Sequence, residues 1–411
     1  MRLVTNFSDA NKQLQQFVPP ALSDRKYSLD TMKLLMEHLG NPQDKVRVIH
    51  VAGTSGKTST CYYIAAMLHA SGKKVGLTVS THIDDINERV QIDMMPLSEA
   101  VFCQKLQEFL QIIDKSKVAP SYFEVLVAFA YWVFAKERVD YAVVEVGLGG
   151  LLDGTNVVTR TDKVCVITDI GLDHTHVLGH TLERISAQKA GIILKQNHVF
   201  MNTQPTEVEE VVEAVCADKN AILHKITKTN PQSSLPLFQR RNWSLAFPVT
   251  RHLLGTVSQK AIYDSVQTVV PARMEIIKRG GKIIVIDGSH NEQKLNALAE
   301  SLKDKFPNQP IAALVSFGHN KEATILDSLR VLTGLTTHII FTKFYMGQDE
   351  YRTALEPKYL QNLCANESFY DVSLQTDPKV AFQELLKRPE HILLVTGSFY
   401  LLNHVRPLLK P

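Results

Sequence analysis

A short glycine-rich segment carries the residues best suited to chemistry. The sequence GTSGKTS follows the apolar run 46–51 and precedes a helical pattern. Glycines there let backbone N–H groups converge on phosphate oxygens, and the helix N-terminus adds positive potential. Lys57 would reach the outer phosphates, and Thr58 or Ser59 could offer a hydroxyl to magnesium. The predicted nucleotide-binding residues of this loop are Gly53, Thr54, Ser55, Gly56, Lys57, Thr58 and Ser59. Because Val51 stands where the full pattern has its first glycine, the alternative is an ordinary strand-to-helix turn.

Three further residues could complete a metal-dependent site. Glu145 lies at the end of a buried strand pattern, just before the glycines of GLGG. Because α/β folds bind ligands at the carboxyl ends of their strands, Glu145 could hold a metal, and the alternative is that it caps the turn. His174 follows the next strand pattern and could join a metal shell, although magnesium prefers oxygen ligands and loop histidines are mostly solvated. Lys189 ends a predicted helix, where on physical grounds alone we favour an interaction with the helix C-terminus.

The elements around these residues predict an α/β protein. Apolar strand patterns at 46–51, 75–79, 141–146 and 163–168 alternate with helical patterns at 58–70, 98–113 and 121–138. Such continuously apolar strands are typical of a parallel sheet covered on both faces. The pattern restarts at Met274 with a hairpin around Gly280-Gly281, followed by strands at 311–315, 338–341 and 392–395. The weakly periodic stretch 256–271 is interpreted as the domain linker.

Bulk properties exclude several classes of protein. The 411 residues suffice for two domains. The net charge is only +3 and the basic residues form no clustered stripe, so we expect no nucleic-acid partner. The five cysteines form no CxxC pair, which is typical of reduced intracellular thiols. The N-terminal segment has no signal-peptide pattern and no apolar run is long enough to span a membrane. We therefore expect a cytoplasmic protein with no membrane partner.

Five motifs in order make the sequence recognisable: GTSGKTS, EVGLGGLLDGTN, LDHTHVLG, QKAGI and DGSHN. Together they resemble the Mur ligase superfamily, in its folylpolyglutamate synthase and dihydrofolate synthase branch. The resemblance runs from about Lys26 to Tyr400. It implies a P-loop-containing, mostly parallel sheet domain over 1–265, which binds ATP and folate. A smaller Rossmann-like α/β domain over 272–411 would close on ATP and glutamate.

The resemblance also implies residue roles. Two magnesium ions would be held, one by Ser80 and Glu145 and the other by Glu145, His174 and a carbamylated Lys189. Nucleotide contacts would come from Gln239, Asn242, Arg273, Asp287 and His290. The acceptor substrate would lie near Phe123, Glu124, Asp153 and Asn156, with core packing as the alternative for Phe123. The implied catalytic residues are Lys57, His174, Lys189, Arg273 and His290.

The implied activity is the ATP- and magnesium-dependent addition of L-glutamate to a folate, with dihydropteroate as a further acceptor, through an acyl phosphate. The protein is expected to be a monomer. Alternatives are a Mur-type ligase for another carboxylate acceptor and a P-loop ATPase that ligates nothing. Several positions depart from the family pattern, among them Ser55 for asparagine, Thr58 for glycine and Thr81 for proline. Asp84 and Asp85 bring negative charge to the folate-side loop, which bears on the choice of acceptor.

Overall fold

The computed structural model describes residues 3–18, 28–228, 234–319, 322, 325–345 and 353–409. The chain divides into two compact units. The first comprises Met1–Ser234 with Gln239–Thr268, and the second comprises Leu235–Phe238 with Val269–Pro411. Among the described residues no helix is both long and apolar enough to cross a membrane.

An eight-stranded sheet forms the centre of the first unit. Its strands are β1 (Arg47–Ala52), β2 (Val75–Thr78), β3 (Gln91–Ile92), β4 (Met95–Pro96), β5 (Tyr141–Glu145), β6 (Val164–Ile167), β7 (His198–Asn202) and β8 (Ile222–Ile226). Their order is β4-β3-β2-β5-β1-β6-β7-β8, with β3 and β4 joined antiparallel at one edge and the other pairs parallel. The predicted parallel α/β sheet is confirmed.

The strand register brings distant motifs to one edge of this sheet. Val51 of β1 pairs with Glu145 of β5 on one side, and Ala52 pairs with Ile167 of β6 on the other. Because carboxyl ends of parallel strands share an edge, the segments that follow β1, β5 and β6 are neighbours. These segments contain the P-loop, the GLGG turn and the loop leading to His174.

Helices cover both faces of the first sheet. They are α1 (Phe7–Gln15), α2 (Asp30–His38), α3 (Lys57–Ala70), α4 (Glu99–Ile113), α5 (Tyr122–Glu137), α6 (Thr175–Leu178), α7 (Leu182–Ala190), α8 (Thr206–Asp218), α9 (Leu237–Leu254) and α10 (Gln259–Val266), with short 3-10 helices at Pro42–Asp44 and Ile86–Arg89. The apolar run predicted as a buried helix is α5, which is apolar on all sides. A helix of this kind belongs in a core. There Phe129 of α5 meets Phe102 edge-on and Phe109 at a tilt, and it stacks on Trp132.

The interpretation of 256–271 as a linker is wrong for most of that stretch. It contains α10, which begins after the capping residue Ser258 and packs against α3. Ser265 of α10 accepts a hydrogen bond from the buried indole of Trp243 at 2.9 Å. An amphipathic helix of eight residues shows only two turns of periodicity, too few to stand out in sequence.

The second unit is a smaller α/β sandwich. Its sheet has the order β13-β12-β11-β14-β10-β9, from strands β9 (Glu275–Arg279), β10 (Lys282–Ile286), β11 (Ile311–Val315), β12 (His338–Phe341), β13 (Val372–Leu374) and β14 (Ile392–Thr396). Its helices are α11 (Glu292–Lys305), α12 (Ile325–Thr333), α13 (Pro357–Asn366), α14 (Pro378–Leu386) and α15 (Phe399–Val405), followed by a 3-10 helix at Arg406–Leu408. β9 and β10 form the predicted antiparallel hairpin around Gly280-Gly281, and the other strands pair in parallel.

Candidate active site

The P-loop connects β1 to α3 by a turn that needs glycine at Gly56. Its φ is +88°, and a Cβ there would lie 2.3 Å from the side-chain oxygen of Asn242. Any other residue would meet both a strained backbone and a steric clash. Asn242 lies on α9 and is buried, and its amide donates to Gln239 at 3.2 Å. The structure therefore brings Asn242, and with it Gln239, next to the P-loop, where both were expected to contact the nucleotide.

Asp169, which follows β6, anchors the other side of the loop. Its main-chain carbonyl accepts hydrogen bonds from the N–H groups of Thr54 at 2.8 Å and Ser55 at 3.1 Å. Its carboxylate accepts from Arg241 Nε at 2.8 Å and forms an ion pair with Arg241 Nη2 at 2.7 Å. The sequence analysis missed this anchor, because its only signal was a basic pair at 240–241 and a carboxylate just after a strand.

Two lysines converge on one carbonyl of the loop. Lys57 Nζ donates to the Gly53 oxygen at 3.0 Å, and Lys189 Nζ donates to the same atom at 2.8 Å. Lys189 is buried on α7 and lies 136 residues away in sequence. Lys189 thus contacts the P-loop, which is a partner other than the helix end that we favoured on physical grounds. As unmodified ammonium groups, the two lysines create a strong local attraction for polyanions.

Glu145 lies beside the same loop, as the strand register requires. Its carboxylate is buried and accepts from Thr58 Oγ1 at 2.9 Å through Oε1 and from the Ser80 N–H at 3.1 Å through Oε2. The Ser80–Thr81 peptide bond is cis. The Ser59 hydroxyl, one residue after Thr58, is buried with no hydrogen-bond partner among the described residues. Buried carboxylate and hydroxyl oxygens of this kind are what magnesium prefers, so these residues fit the implied metal.

His174 begins α6 in a left-handed conformation, with φ of +50°. Its ring lies 3.9 Å from the Asp173 carboxylate and 6.3 Å, between ring centroids, from His176. About a third of its side chain is exposed. Within the described part of the chain, no three or more His, Cys, Asp or Glu side chains are grouped as a ready-made metal cluster. The role of His174 as a metal ligand stays a prediction.

The GLGG turn is held tightly against α7. A Cβ on Gly150, whose φ is +159°, would lie 2.8 Å from the Gln188 carbonyl. Leu151 N–H donates to that same carbonyl at 2.7 Å, and the Asn156 amide donates to the carbonyl of Gly191, just after the helix, at 3.0 Å. The turn therefore fixes the end of α7, and with it Lys189.

The four predicted substrate residues surround this turn. Asp153 is buried, and its carboxylate accepts from the Leu148 N–H at 2.7 Å and from Thr155. Burial raises the pKa of Asp153, and these hydrogen bonds oppose the rise. Glu124 closes a capping box with Ser121 at the start of α5. The Phe123 ring packs against Gly147, where a Cβ would lie 2.5 Å from it. The polar contacts seen here are structural, and the substrate-binding role of the four stays a prediction.

In the second unit, Asp287 ties the DGSHN motif to the chain around Arg273. It is buried after β10 and accepts from Met274 N–H at 2.7 Å and from Ser289 N–H at 2.8 Å. Burial raises the pKa of Asp287, whereas Ser289 and the positive charge of Arg273 lower it. Asp287 therefore orders the motif through its backbone and side-chain contacts.

Phe399 links the other two predicted residues of this unit. The Arg273 guanidinium lies 4.6 Å from the centre of its ring, a cation–π contact, and the His290 ring meets it edge-on at 6.0 Å. Lys294 Nζ lies 3.2 Å from His290 Nε2. The sequence analysis did not select Phe399 or Lys294. Phe399 falls in the TGSFY segment near the end of the resemblance, and Lys294 lies four residues after His290, one helical turn away.

Comparisons with known proteins decide the family. A family model for the Mur ligase middle domain matches residues 51–235, and one for the Mur ligase glutamate ligase domain matches residues 272–399. The chain is 30% identical to a dihydrofolate synthase/folylpolyglutamate synthase of Bacillus subtilis, over 94% of this chain and 95% of that protein. The chain belongs to the Mur ligase family. It is also 31% identical to a folylpolyglutamate synthase of Lacticaseibacillus casei, over 91% of this chain and 92% of that protein.

Solved structures agree with this placement. The structure of Mycobacterium tuberculosis folylpolyglutamate synthase complexed with ADP and AMPPCP aligns with a TM-score of 0.84 and 26% identity, covering 98% of each chain. The predicted two-domain Mur ligase fold is confirmed, and so is the folylpolyglutamate synthase and dihydrofolate synthase branch. This Mur ligase family member is an ATP-dependent ligase, as its motifs predicted.

Proposed function

We propose that this ligase adds L-glutamate to a folate, and to dihydropteroate where that is offered, at the expense of ATP. The observation that carries the proposal is the convergence of Lys57 and Lys189 on the Gly53 carbonyl, beside a buried Glu145 held by Thr58. A P-loop that only binds nucleotide does not need a second, buried lysine such as Lys189, which comes from α7. The names of the relatives in the same branch supply the choice of substrates.

Magnesium is the proposed metal, at two sites as the resemblance implies. The residues that would hold it are Ser80, Glu145, His174 and Lys189, the last as a carbamate, with a hydroxyl from Thr58 or Ser59. Magnesium bound there would neutralise phosphate charge during transfer. A carbamate would replace the cation of Lys189 by oxygen ligands, which suits magnesium.

The residues of the chain serve a two-step reaction. The acceptor carboxylate attacks the γ-phosphorus of ATP, and ADP leaves. Lys57 would counter the charge that develops on the transferred phosphoryl group, and the resemblance implies the same role for Arg273. The glutamate amine then attacks the acyl carbon, the bond to phosphate breaks, and an amide and inorganic phosphate remain. Asp287 and His290 are proposed to serve the nucleotide and this phosphate, and Phe123, Glu124, Asp153 and Asn156 the acceptor.

Product analysis tests the proposal directly. The purified protein is incubated with ATP, magnesium and labelled glutamate, with tetrahydrofolate and dihydropteroate in separate reactions. We expect the acceptor mass to rise by one glutamate residue, with ADP and phosphate released in equal amounts. ATP turnover that ignores both acceptors and glutamate would instead support a nucleotide-hydrolysing protein. Ligation to a different carboxylic acid would keep the chemistry and replace the acceptor.

The modification of Lys189 is tested separately. Protein equilibrated with carbon-13 bicarbonate should give a carbamate carbonyl NMR signal that is absent from Lys189→Met. A control variant, Lys195→Met, alters an exposed lysine just after the same helix and should keep the signal. A signal that survives in Lys189→Met would assign the carbamate to another lysine.

We also propose that the protein acts as a cytoplasmic monomer. All five cysteines are buried free thiols, which suits a reducing compartment. Light scattering after gel filtration should give a mass near 46.1 kDa. A mass of twice that value would contradict the monomer.

A further inference from the structure

We propose that Lys294 is a positioning residue that holds His290 as a neutral imidazole with its proton on Nδ1, so that Nε2 serves as the acceptor of the proton released by the attacking amine. The role in the reaction rests on the proposed function. The protonation and tautomer of the His290 ring are properties of the protein alone. It starts from two contacts, one at each nitrogen of the His290 ring.

The two contacts fix the tautomer. His290 Nδ1 lies 2.8 Å from the carbonyl oxygen of Gly288, and a carbonyl can only accept a hydrogen bond. His290 Nε2 lies 3.2 Å from Lys294 Nζ, and an ammonium can only donate. Nδ1 must therefore carry the proton, and Nε2 must present its lone pair.

The charge of Lys294 and its hydrogen bond both favour an unprotonated Nε2 on His290. A cation this close to Nε2 opposes the arrival of a second positive charge on the ring. Other charged groups near this ring include Arg273, which lies over the Phe399 ring, and the buried Asp287. Lys294 contacts the imidazole directly, at Nε2.

The backbone of Lys294 is fixed on both sides, so its side chain starts from a defined point. Its N–H donates to the capping residue Asn291 at 3.0 Å, in the first turn of α11, and its carbonyl accepts from the Ser289 hydroxyl at 3.2 Å. One helical turn separates it from His290, the spacing at which side chains meet. The helix cap therefore sets the Lys294–His290 contact.

In the second step of the proposed reaction, amide formation, the fixed tautomer of His290 lets Nε2 accept a proton from the glutamate amine. As the glutamate nitrogen bonds to the acyl carbon, the bond from that carbon to phosphate breaks and phosphate leaves with the electron pair. The nitrogen loses a proton, which passes to Nε2. Lys294, on an unbranched flexible side chain, gives up its hydrogen bond to Nε2 as the ring takes the proton. His290 thus acts as a neutral acceptor, and Lys294 supplies the cation.

The state of the ring is measured first, without any substrate. Nitrogen-15 NMR of histidine-labelled protein, with the His290 signals assigned by their loss in His290→Gln, should show Nδ1–H and an unprotonated Nε2 in the unmodified protein at neutral pH. Lys294→Met should keep Nδ1–H, which the Gly288 carbonyl holds, and should let Nε2 become protonated at a higher pH, and Lys294→Arg should restore the titration of the unmodified protein. A protonated Nε2 in the unmodified protein, or an unchanged ring in Lys294→Met, would overturn the proposal.

Kinetics then tests what the tautomer does. Lys294→Met should move the acidic limb of the rate profile for ligation to higher pH by about one unit, because protonation of His290 becomes easier. Lys294→Arg should keep the limb in place, and so should Lys303→Met, which alters an exposed lysine of the same helix. A Lys294→Met profile lowered equally at every pH would overturn the role in proton transfer. If the NMR result holds and the chain ligates no glutamate, the proposed function fails and the positioning by Lys294 stands.

Discussion

At the scale of single residues, Thr58 sets the orientation of the carboxylate proposed to bind metal. Its hydroxyl donates to Glu145 at 2.9 Å, and both groups are buried. Thr58→Val keeps the volume and removes that donor, so Glu145 loses a hydrogen bond that orients its carboxylate. Groups of this kind typically change metal affinity by 10–100-fold, and we expect the magnesium concentration for half-maximal activity to rise about tenfold.

A matched control exists two residues further along the same helix. The Thr60 hydroxyl is buried and has no partner within the described residues, so Thr60→Val makes the same chemical change without breaking a contact. Magnesium titrations of the ligation rate compare the two variants, with Thr58→Ser expected to retain most of the affinity. Equal magnesium requirements for Thr58→Val and Thr60→Val would show that the hydroxyl has no role in metal binding.

Candidate site residues could be named from the sequence, but most of their contacts could not be predicted. Gly56 and Lys57 lie in one motif, so local spacing was enough to assign them to a phosphate-binding loop. Lys189 reaches the Gly53 carbonyl across 136 residues, and Arg241 reaches Asp169 across 72. Contacts between such distant positions depend on strand order, which the motifs themselves do not encode.

At the scale of elements, the Asp169–Arg241 ion pair joins the segment after β6 to α9 and so fixes the residue that holds the P-loop. Arg241 contacts both carboxylate oxygens of Asp169, whose main chain holds the loop at Thr54 and Ser55. Asp169→Asn weakens the ion pair and lets that main chain move. We expect the KM for ATP to rise several-fold with a smaller change in kcat, because positioning of the nucleotide is what is lost.

Asp218→Asn is the control for that prediction. Asp218 is exposed at the end of α8 and pairs with its neighbour Lys219 at 2.9 Å, an ion pair that contributes little. Steady-state kinetics with varied ATP distinguishes the two variants. Should Asp169→Asn behave like Asp218→Asn, the anchor would have no bearing on nucleotide binding.

Three histidines from β7, β8 and α9 pack their imidazole rings together in the first unit. His198 Nδ1 and His224 Nε2 lie 2.9 Å apart, and the rings of His198 and His252 have centroids 4.1 Å apart. Burial lowers the pKa of His224 and His252, and the neighbouring histidines add to the effect. Since the unfolded chain then binds protons more readily than the folded one, stability should fall as the pH drops from about 6.5 towards the folded pKa.

Replacing one of these rings tests that acid sensitivity. In His224→Phe the new ring faces Phe200, whose centroid lies 4.4 Å from that of His224, and one titrating group is lost. Chemical denaturation at several pH values between about 7.5 and 5.5 should give a shallower loss of stability than in the unmodified protein. His180→Gln, at an exposed position, should leave the slope unchanged. A slope unchanged in His224→Phe would mean that other groups cause the acid sensitivity.

Several long, apolar strands were predicted, whereas short or polar strands were missed, and so was the buried strand β7. β1, β5 and β14 were predicted because each is a run of buried residues. β8 (ILHKI) has no fully buried residue, and β3 and β4 have two residues each, so neither class gives a clear pattern. These strands owe their conformation to pairing with a neighbour, which is a property of the sheet.

At the scale of the whole molecule, the two units have separate sheets and separate apolar clusters, so we expect them to open independently. Leu394, fully buried on β14, belongs to the core of the second unit, and Leu77, fully buried on β2, lies in the first. A buried Leu→Ala change costs about 2–5 kcal/mol. When that loss stays within one cooperative unit, only the amides of that unit exchange faster.

Hydrogen exchange followed by mass spectrometry compares the two substitutions directly. Leu394→Ala should accelerate exchange in peptides from 269–411 and leave those of the first sheet unchanged, and Leu77→Ala should do the reverse. Saturating ATP, if it binds the P-loop, should protect the first unit in the Leu77→Ala variant, because a ligand that binds the folded form stabilises it. Faster exchange in both sheets from either substitution would instead mean that the chain unfolds as one cooperative body.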